Sequence, residues 1–236
     1  MAKNSAISWT NHSWNPHYGC KKVSTGCKNC YAYRDMRRYG HLPNTVTRAK
    51  PATFNAPLKW HEPAKVFTCS WSDFFIENAD EWRDVAWDII RQTPHLTYQI
   101  LTKRPENIHD RLPADWNDGW PNVWLGVSVE STDYLWRVAY LENTPSVIKF
   151  VSYEPALEYV DFMPYEIDWL IAGGESGPDA RPAKLDWFRR VRDDCHGFGI
   201  PFFYKQFGGN HKVDGCWGGC KLDGRVWHEF PTRNVR

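Results

Sequence analysis

No run of about eighteen apolar residues, the length a membrane-spanning helix needs, occurs in the chain. The first residues, MAKNSAIS, lack the apolar core of a secretory signal peptide, so the expectation is a soluble cytoplasmic protein with no membrane partner. Acid is nearly missing from one end. Residues 1–50 hold a single acid, Asp35, against nine Lys or Arg. That segment therefore carries about +8 and the remainder about −7, an asymmetry hidden by the net charge of +1. A basic lobe of this kind either steers a polyanion such as DNA toward it or is simply a solvated helix face. Methionine is scarce too, three residues against fourteen Trp. Most of those Trp belong to a core or a cleft, with a few left as platforms for stacked bases.

Seven cysteines in a reducing compartment do not read as a disulfide framework. Cys20, Cys27 and Cys30 follow the spacing C-x6-C-x2-C on a stretch that Pro16, Gly19 and Gly26 keep irregular. Three thiolates hold three irons of a cubane cluster and leave the fourth open to a small molecule. The alternative is a zinc knuckle with His17 as the fourth ligand. Cys216 and Cys220, with His211, form a looser set, either a second metal site or two free thiols in a glycine-rich tail. Cys69 and Cys195 sit on apolar faces and read as core.

From Lys65 onward the pattern alternates. Apolar runs predict strands over 66–69, 96–102, 123–127, 147–151, 169–172 and 202–204, with a further short strand over 7–9. Helices are predicted over 31–39, from an Asn78/Glu81 capping box to the residues before Pro94, over 133–141 with Ser131 or Thr132 as cap, and over 187–195 between Asp186 and Gly197. A single domain is expected, with a cluster loop and basic lobe over 1–50, β/α repeats over 65–207 and a glycine-rich tail over 208–236. Short apolar strands alternating with helices imply an α/β fold whose parallel sheet curls into a partial or irregular (β/α)6–7 barrel; a doubly wound open sheet is the alternative. Chemistry in such folds lies at the C-terminal ends of the strands. Here those ends carry Ser70, Ser72 and Asp73, then Thr102, Lys103 and Arg104, Ser128 and Glu130, Ser152 and Glu154, Glu175 and Ser176, and Lys205 and Gln206.

Cys27-Lys28-Asn29-Cys30-Tyr31-Ala32 resembles the Cys-x-x-Cys-Tyr-Ala ending of the radical S-adenosylmethionine (SAM) motif in the spore photoproduct lyase branch, although the first cysteine spacing is longer than usual. A wider resemblance covers nearly the whole chain. Trp14-Asn15-Pro16, Gly19-Cys20, Gly26-Cys27, Leu101-Thr102-Lys103-Arg104-Pro105, Gly126-Val127-Ser128-Val129-Glu130, Glu154-Pro155, Gly173-Gly174-Glu175-Ser176-Gly177, Ala180-Arg181-Pro182 and Lys205-Gln206-Phe207-Gly208-Gly209 are similar, in order, to a phage and prophage family of three-cysteine proteins. Some members of that family look like radical SAM enzymes of phage DNA hypermodification.

That resemblance implies a [4Fe–4S] cluster on Cys20, Cys27 and Cys30, SAM chelated to its open iron, an external electron donor and a modified base in DNA as substrate. One such reaction moves a glycine on the thymine methyl group from nitrogen linkage to carbon linkage. By the same resemblance, Ser70, Ser72 and Asp73 are placed at the methionine amino group. Lys103 or Arg104 suits the methionine carboxylate, Ser128, Glu130 and Ser152 the ribose, and Gly173 and Gly174 close approach to the sulfonium or adenine. Glu154, Glu175 and Lys205 are expected on the substrate side, with Lys205 or Arg181 holding a substrate carboxylate and Tyr153 or a Trp stacking on an extruded base. Two competing functions are a radical SAM enzyme of a free nucleotide or small metabolite, and a non-enzymatic zinc or iron–sulfur nucleic-acid-binding protein.

Overall fold

Apolar strands and amphipathic helices alternate along the chain in a computed structural model that describes residues 2–232. The strands are β1 (Ala2–Lys3), β2 (His12–Trp14), β3 (His17–Tyr18), β4 (Thr47–Arg48), β5 (Ala64–Thr68), β6 (Leu96–Thr102), β7 (Val123–Ser128), β8 (Lys149–Tyr153), β9 (Trp169–Gly173), β10 (Phe202–Gln206), β11 (Lys212–Val213) and β12 (Cys216–Trp217). The helices are α1 (Tyr31–Arg38), α2 (Pro51–Phe54), α3 (Asp80–Gln92), α4 (Trp136–Glu142) and α5 (Leu185–Gly197). Two units divide these elements. One comprises Met1–Val23, Ala32–Gly126 and Thr144–Val147; the other comprises Ser24–Tyr31, Val127–Asn143 and Ile148–Arg236. Both are α/β, as the alternation predicts.

In the first unit β2 runs parallel to β5 and β5 parallel to β6, with β1 added antiparallel at the edge. Register places Trp14 against Thr68 and Val66 against Tyr98. The predicted strand over 7–9 falls instead at His12–Trp14. Residues before it turn back, Thr10 N donating to Ile7 O, while Trp9 packs its ring 4.6 Å from Phe67. Trp87 of α3 is 2% exposed and sits among Phe74, Trp116 and Trp120 at ring separations of 4.9, 5.6 and 5.5 Å. Its indole N–H donates to Arg111 O, so the only polar atom of the ring is satisfied. Residues 103–122, between β6 and β7, hold two short 3-10 turns, Pro105–Asn107 and His109–Arg111, the first opened by Pro105 and the second followed by Pro113.

In the second unit β8 is parallel to β9 and β9 to β10. Trp169, Phe150, Phe203 and Phe188 fill its core.

The helix starts differ from the sequence reading. A 3-10 turn over Glu77–Ala79 takes up Asn78, Ala79 becomes the N-cap of α3, and the capping box is not formed. Arg83 serves that end instead, buried, with its guanidinium donating to Phe74 O and Ile76 O. Ser131 and Thr132 likewise do not cap α4; Thr132 gives both its N–H and its hydroxyl to Glu158. Asp186 lies inside the first turn of α5 and pairs with Arg189.

Replacing Trp87 with Ala should lower stability by about 3–5 kcal/mol, because a large ring leaves a cavity that its aromatic neighbours cannot close. Val85→Ala, on the same helix but 44% exposed, should stay within about 0.5 kcal/mol. Urea unfolding checks both, and equal losses would contradict the placement of Trp87.

Candidate functional site

Among the described residues no cysteine is joined in a disulfide. Cys20 lies in the first unit, behind Gly19. Gly19 has φ +91°, and a Cβ there would lie 2.1 Å from Thr45 O, so only glycine brings the chain through this turn. Cys20 N–H donates to Pro43 O at 2.8 Å, and its carbonyl accepts from the Tyr33 hydroxyl. Ser72 Oγ donates to Gly19 O, and Asn15 braces the next strand end, accepting from Trp71 N–H and donating to Ser70 Oγ.

Asp73 is the hub of that end. Its buried carboxylate accepts from Thr102 Oγ1 at 2.7 Å, Lys103 N at 2.9 Å, Phe75 N at 3.0 Å and Arg104 Nη1 at 3.4 Å. Arg104 passes the connection on: Nη2 donates to Lys21 O at 2.7 Å and Nη1 lies 3.8 Å from Cys20 Sγ. Ser70, Ser72, Asp73 and Arg104 are thus brought together as the frame of the Cys20 turn. His17 is committed elsewhere. Its Nε2 sits 3.1 Å from Asp73 O and 3.7 Å from Cys69 Sγ, and burial lowers its pKa to about 4, so the ring is neutral at pH 7. Cys69 itself takes a left-handed φ of 67° at the end of β5.

Cys27 and Cys30 lie in the second unit, one closing a 3-10 turn over Thr25–Cys27 and the other just ahead of α1. Glu130, at the end of β7, reaches that turn. One carboxylate oxygen accepts from Ser24 Oγ at 2.8 Å, and the other pairs with Arg137 Nη1 at 2.9 Å, both side chains of the pair being fully buried. Ser24 Oγ lies 3.5 Å from Cys27 Sγ. A Cβ on Gly26 would stand 2.3 Å from Glu130 Cγ, so the glycine is what lets the carboxylate pass. Tyr134 OH receives the Thr25 N–H, and Arg181 Nη1 donates to Thr25 O.

Glu175 holds the next residues. Asn29 Nδ2 donates to it at 3.0 Å, and Arg181 does so through its backbone N–H, Nε and Nη2 at 2.9, 2.8 and 2.5 Å. Burial alone would raise the pKa of Glu175, but the bonds from Arg181 and Asn29 outweigh it and hold the carboxyl below its ordinary value. Farther round the strand ends, Glu154 accepts from Ser152 Oγ and pairs with Lys205 Nζ at 2.8 Å, with 14% and 24% side-chain exposure. Gly173 leaves room for that pair, a Cβ falling 2.6 Å from Glu154 Oε1, and a Cβ on Gly174 would lie 1.9 Å from Phe207 O. Ser128 takes part through its carbonyl, which accepts from Arg137.

Tyr153 is not on this rim. It is buried between Phe162 and Phe188 and its hydroxyl donates to Glu158 O, so its ring faces are covered and it is a core residue, not a stacking platform. Cys216 and Cys220 flank the turn after the β11–β12 hairpin with their thiols hydrogen-bonded, while the imidazole of His211 faces Asn210. Among the described residues no three or more His, Cys, Asp or Glu side chains are gathered to hold a metal ion. By donor type alone, the thiols of Cys20, Cys27 and Cys30 suit an iron–sulfur cluster, and Cys20 and Cys30 are part-exposed.

Ser24, Asn29, Arg137 and Asn15 brace the cysteine turns, a part that the sequence assigned to none of them. Asn15 and Asn29 stand within the motifs Trp14-Asn15-Pro16 and Cys27-Lys28-Asn29-Cys30, whereas Ser24 and Arg137 carry no local signal. An α/β protein with cysteine turns held by strand-end carboxylates is thereby defined. A family described as Protein of unknown function (DUF5131) matches residues 4–231, and the chain belongs to it. No curated protein and no solved structure matches the chain.

Because the folded pKa of Glu175 lies below its ordinary 4.5, its pairing stabilises the fold above that pH and is lost as the pH falls through the lower folded value. Glu175→Gln should therefore cost about 1.5–3 kcal/mol at pH 7 and less at an acid pH well below 4.5. Urea titrations at the two pH values measure this, and a loss of the same size at both would refute it.

Proposed function

We propose that the chain is a radical SAM enzyme acting on a modified nucleobase in DNA, built on a partial (β/α)6–7 barrel of radical SAM type. One observation carries this reading: three cysteines in C-x6-C-x2-C spacing, with residues between them gripped by carboxylates from the ends of strands. A structural zinc knuckle is supported less well, since it needs a closed ligand set and His17 is already engaged with Asp73 and Cys69.

A reduced [4Fe–4S] cluster with bound SAM supplies a 5′-deoxyadenosyl radical able to take hydrogen from the substrate. Cys20, Cys27 and Cys30 would be the cluster ligands, leaving one iron open. Arg104, with an N–H directed at Cys20 Sγ, would place positive charge beside a ligand sulfur and tune the cluster's potential upward. Asp73, Glu130 and Glu175 have their oxygens filled by protein donors, so their part is to fix the loop and not to meet SAM directly. Ser152, Gly173 and Gly174 are taken up by the protein itself, Ser152 Oγ donating to Glu154 and the open sides of the two glycines facing Glu154 Oε1 and Phe207 O, so their part is to seat the Glu154–Lys205 pair and the strand end. Lys205 and Glu154, part-exposed and already paired, suit a zwitterionic group on the substrate: the ammonium would take a carboxylate and the carboxylate an amine, as a glycyl adduct of thymine requires. An external electron donor is needed.

Anaerobically reconstituted protein, given SAM and a reductant, should release 5′-deoxyadenosine. Cys20→Ala, Cys27→Ala and Cys30→Ala should each abolish it, while Cys216→Ala should retain it. Chromatographic assay of the nucleoside decides, and no product from the wild-type chain even with phage DNA present would sink the proposal.

A further inference from the structure

The first unit carries an aromatic group that its core does not use. Trp71, between Ser70 and Ser72, has Tyr39 at 5.5 Å, Tyr18 at 5.9 Å and His41 at 6.0 Å, and Tyr18 stands 4.7 Å from His41. Trp71, Tyr18 and His41 are half-buried, whereas Tyr39 is 66% exposed and Leu42 beside it 72%. Rings left at a surface in this number mark a binding face rather than a packing need.

The charge in the adjoining segments has one sign. Arg37 and Arg38 form the exposed last turn of α1 and lead straight into Tyr39. Arg48 pairs with His17 across β3 and β4, next to the Tyr18–Thr47 pair, and Lys50 follows two residues later, both cations exposed. Asp35, the single acid of residues 1–50, lies 3.3 Å from Arg34 Nε. Exposed π-faces together with cations suit a ligand that offers flat rings and phosphates at once. Duplex DNA hides its base faces in the stack, so the matching partner has unpaired bases.

We propose that Tyr39 and Trp71, backed by Tyr18 and His41, stack unpaired bases of a single-stranded nucleic acid whose phosphates run along Arg37, Arg38, Arg48 and Lys50. This extends the DNA-directed reading above and would hold the strand from which a target base is presented. Binding requires neither SAM nor reductant, so it fails or succeeds separately from radical chemistry.

Fluorescence anisotropy of the full chain with a labelled oligothymidylate, the same strand in duplex form and the matching oligouridylate tests it. Single strands should bind more tightly than duplex, and the DNA and RNA arms read which sugar is preferred. Tyr39→Ala and Trp71→Ala should each weaken binding about tenfold. Trp136→Ala, which removes an exposed tryptophan of the second unit, should leave it unchanged. Replacing Arg37 and Arg38 together with Gln should reduce the slope of log Kd against log salt by about 1.4. Tyr39 is exposed enough that its variant keeps the fold, which circular dichroism verifies. Absence of oligonucleotide binding at low salt, or equal affinity of the Tyr39 and Trp136 variants, would overturn the assignment.

Discussion

A carboxylate taken out of water has to be paired, and in the second unit that requirement falls on Glu130. Its side chain is wholly buried against an equally buried Arg137 at 2.9 Å. Removing either partner would leave an uncompensated charge, at a cost of about 3–5 kcal/mol. Arg137 is fixed in turn by Ser128 O and by the ring of Tyr134, 4.3 Å below its guanidinium. With one oxygen held there, the other is aimed at Ser24, and the Cys27 turn has its position set by a strand end. Gly26 belongs to the same constraint, because any side chain at that position would displace the carboxylate.

Asp73 plays the corresponding part in the first unit, where Arg104 carries the connection to Lys21 O and Cys20. Polar residues gathered at strand ends thus have two possible uses, to touch a ligand or to fix the segment that does. Asp73, Glu130 and Glu175 serve the second. Glu154 and Lys205, part-exposed, keep the first open. A loop held by filled carboxylates is preorganised, which is what the proposed cluster site, with little tolerance for displacement, would need.

The strands were legible because their apolar runs end in turn-forming or charged residues. Predicted and observed spans coincide over Leu96–Thr102 and differ by one or two residues at β5, β7, β8, β9 and β10. Helix starts were not, since their caps are tertiary: Arg83 reaches back over a 3-10 turn, and Thr132 is claimed by Glu158. The site divides in the same way. Cysteine spacing and the polar strand ends could be read from the chain, but not which groups they meet. Ser24 finds Glu130 across 106 residues and Asn29 finds Glu175 across 146, separations at which no local pattern operates. Tyr153 shows the limit from the other side, since a tyrosine at a strand end looks available until Phe162 and Phe188 are seen to cover it.

The central claim is that the three-cysteine segment holds an iron–sulfur cluster. Metal and acid-labile sulfide analysis of anaerobically purified protein, together with its visible spectrum, tests it most directly. About four iron and four sulfide per chain, with a broad absorption that bleaches on reduction, is the predicted result. One zinc per chain, with no sulfide and no visible band, would contradict it.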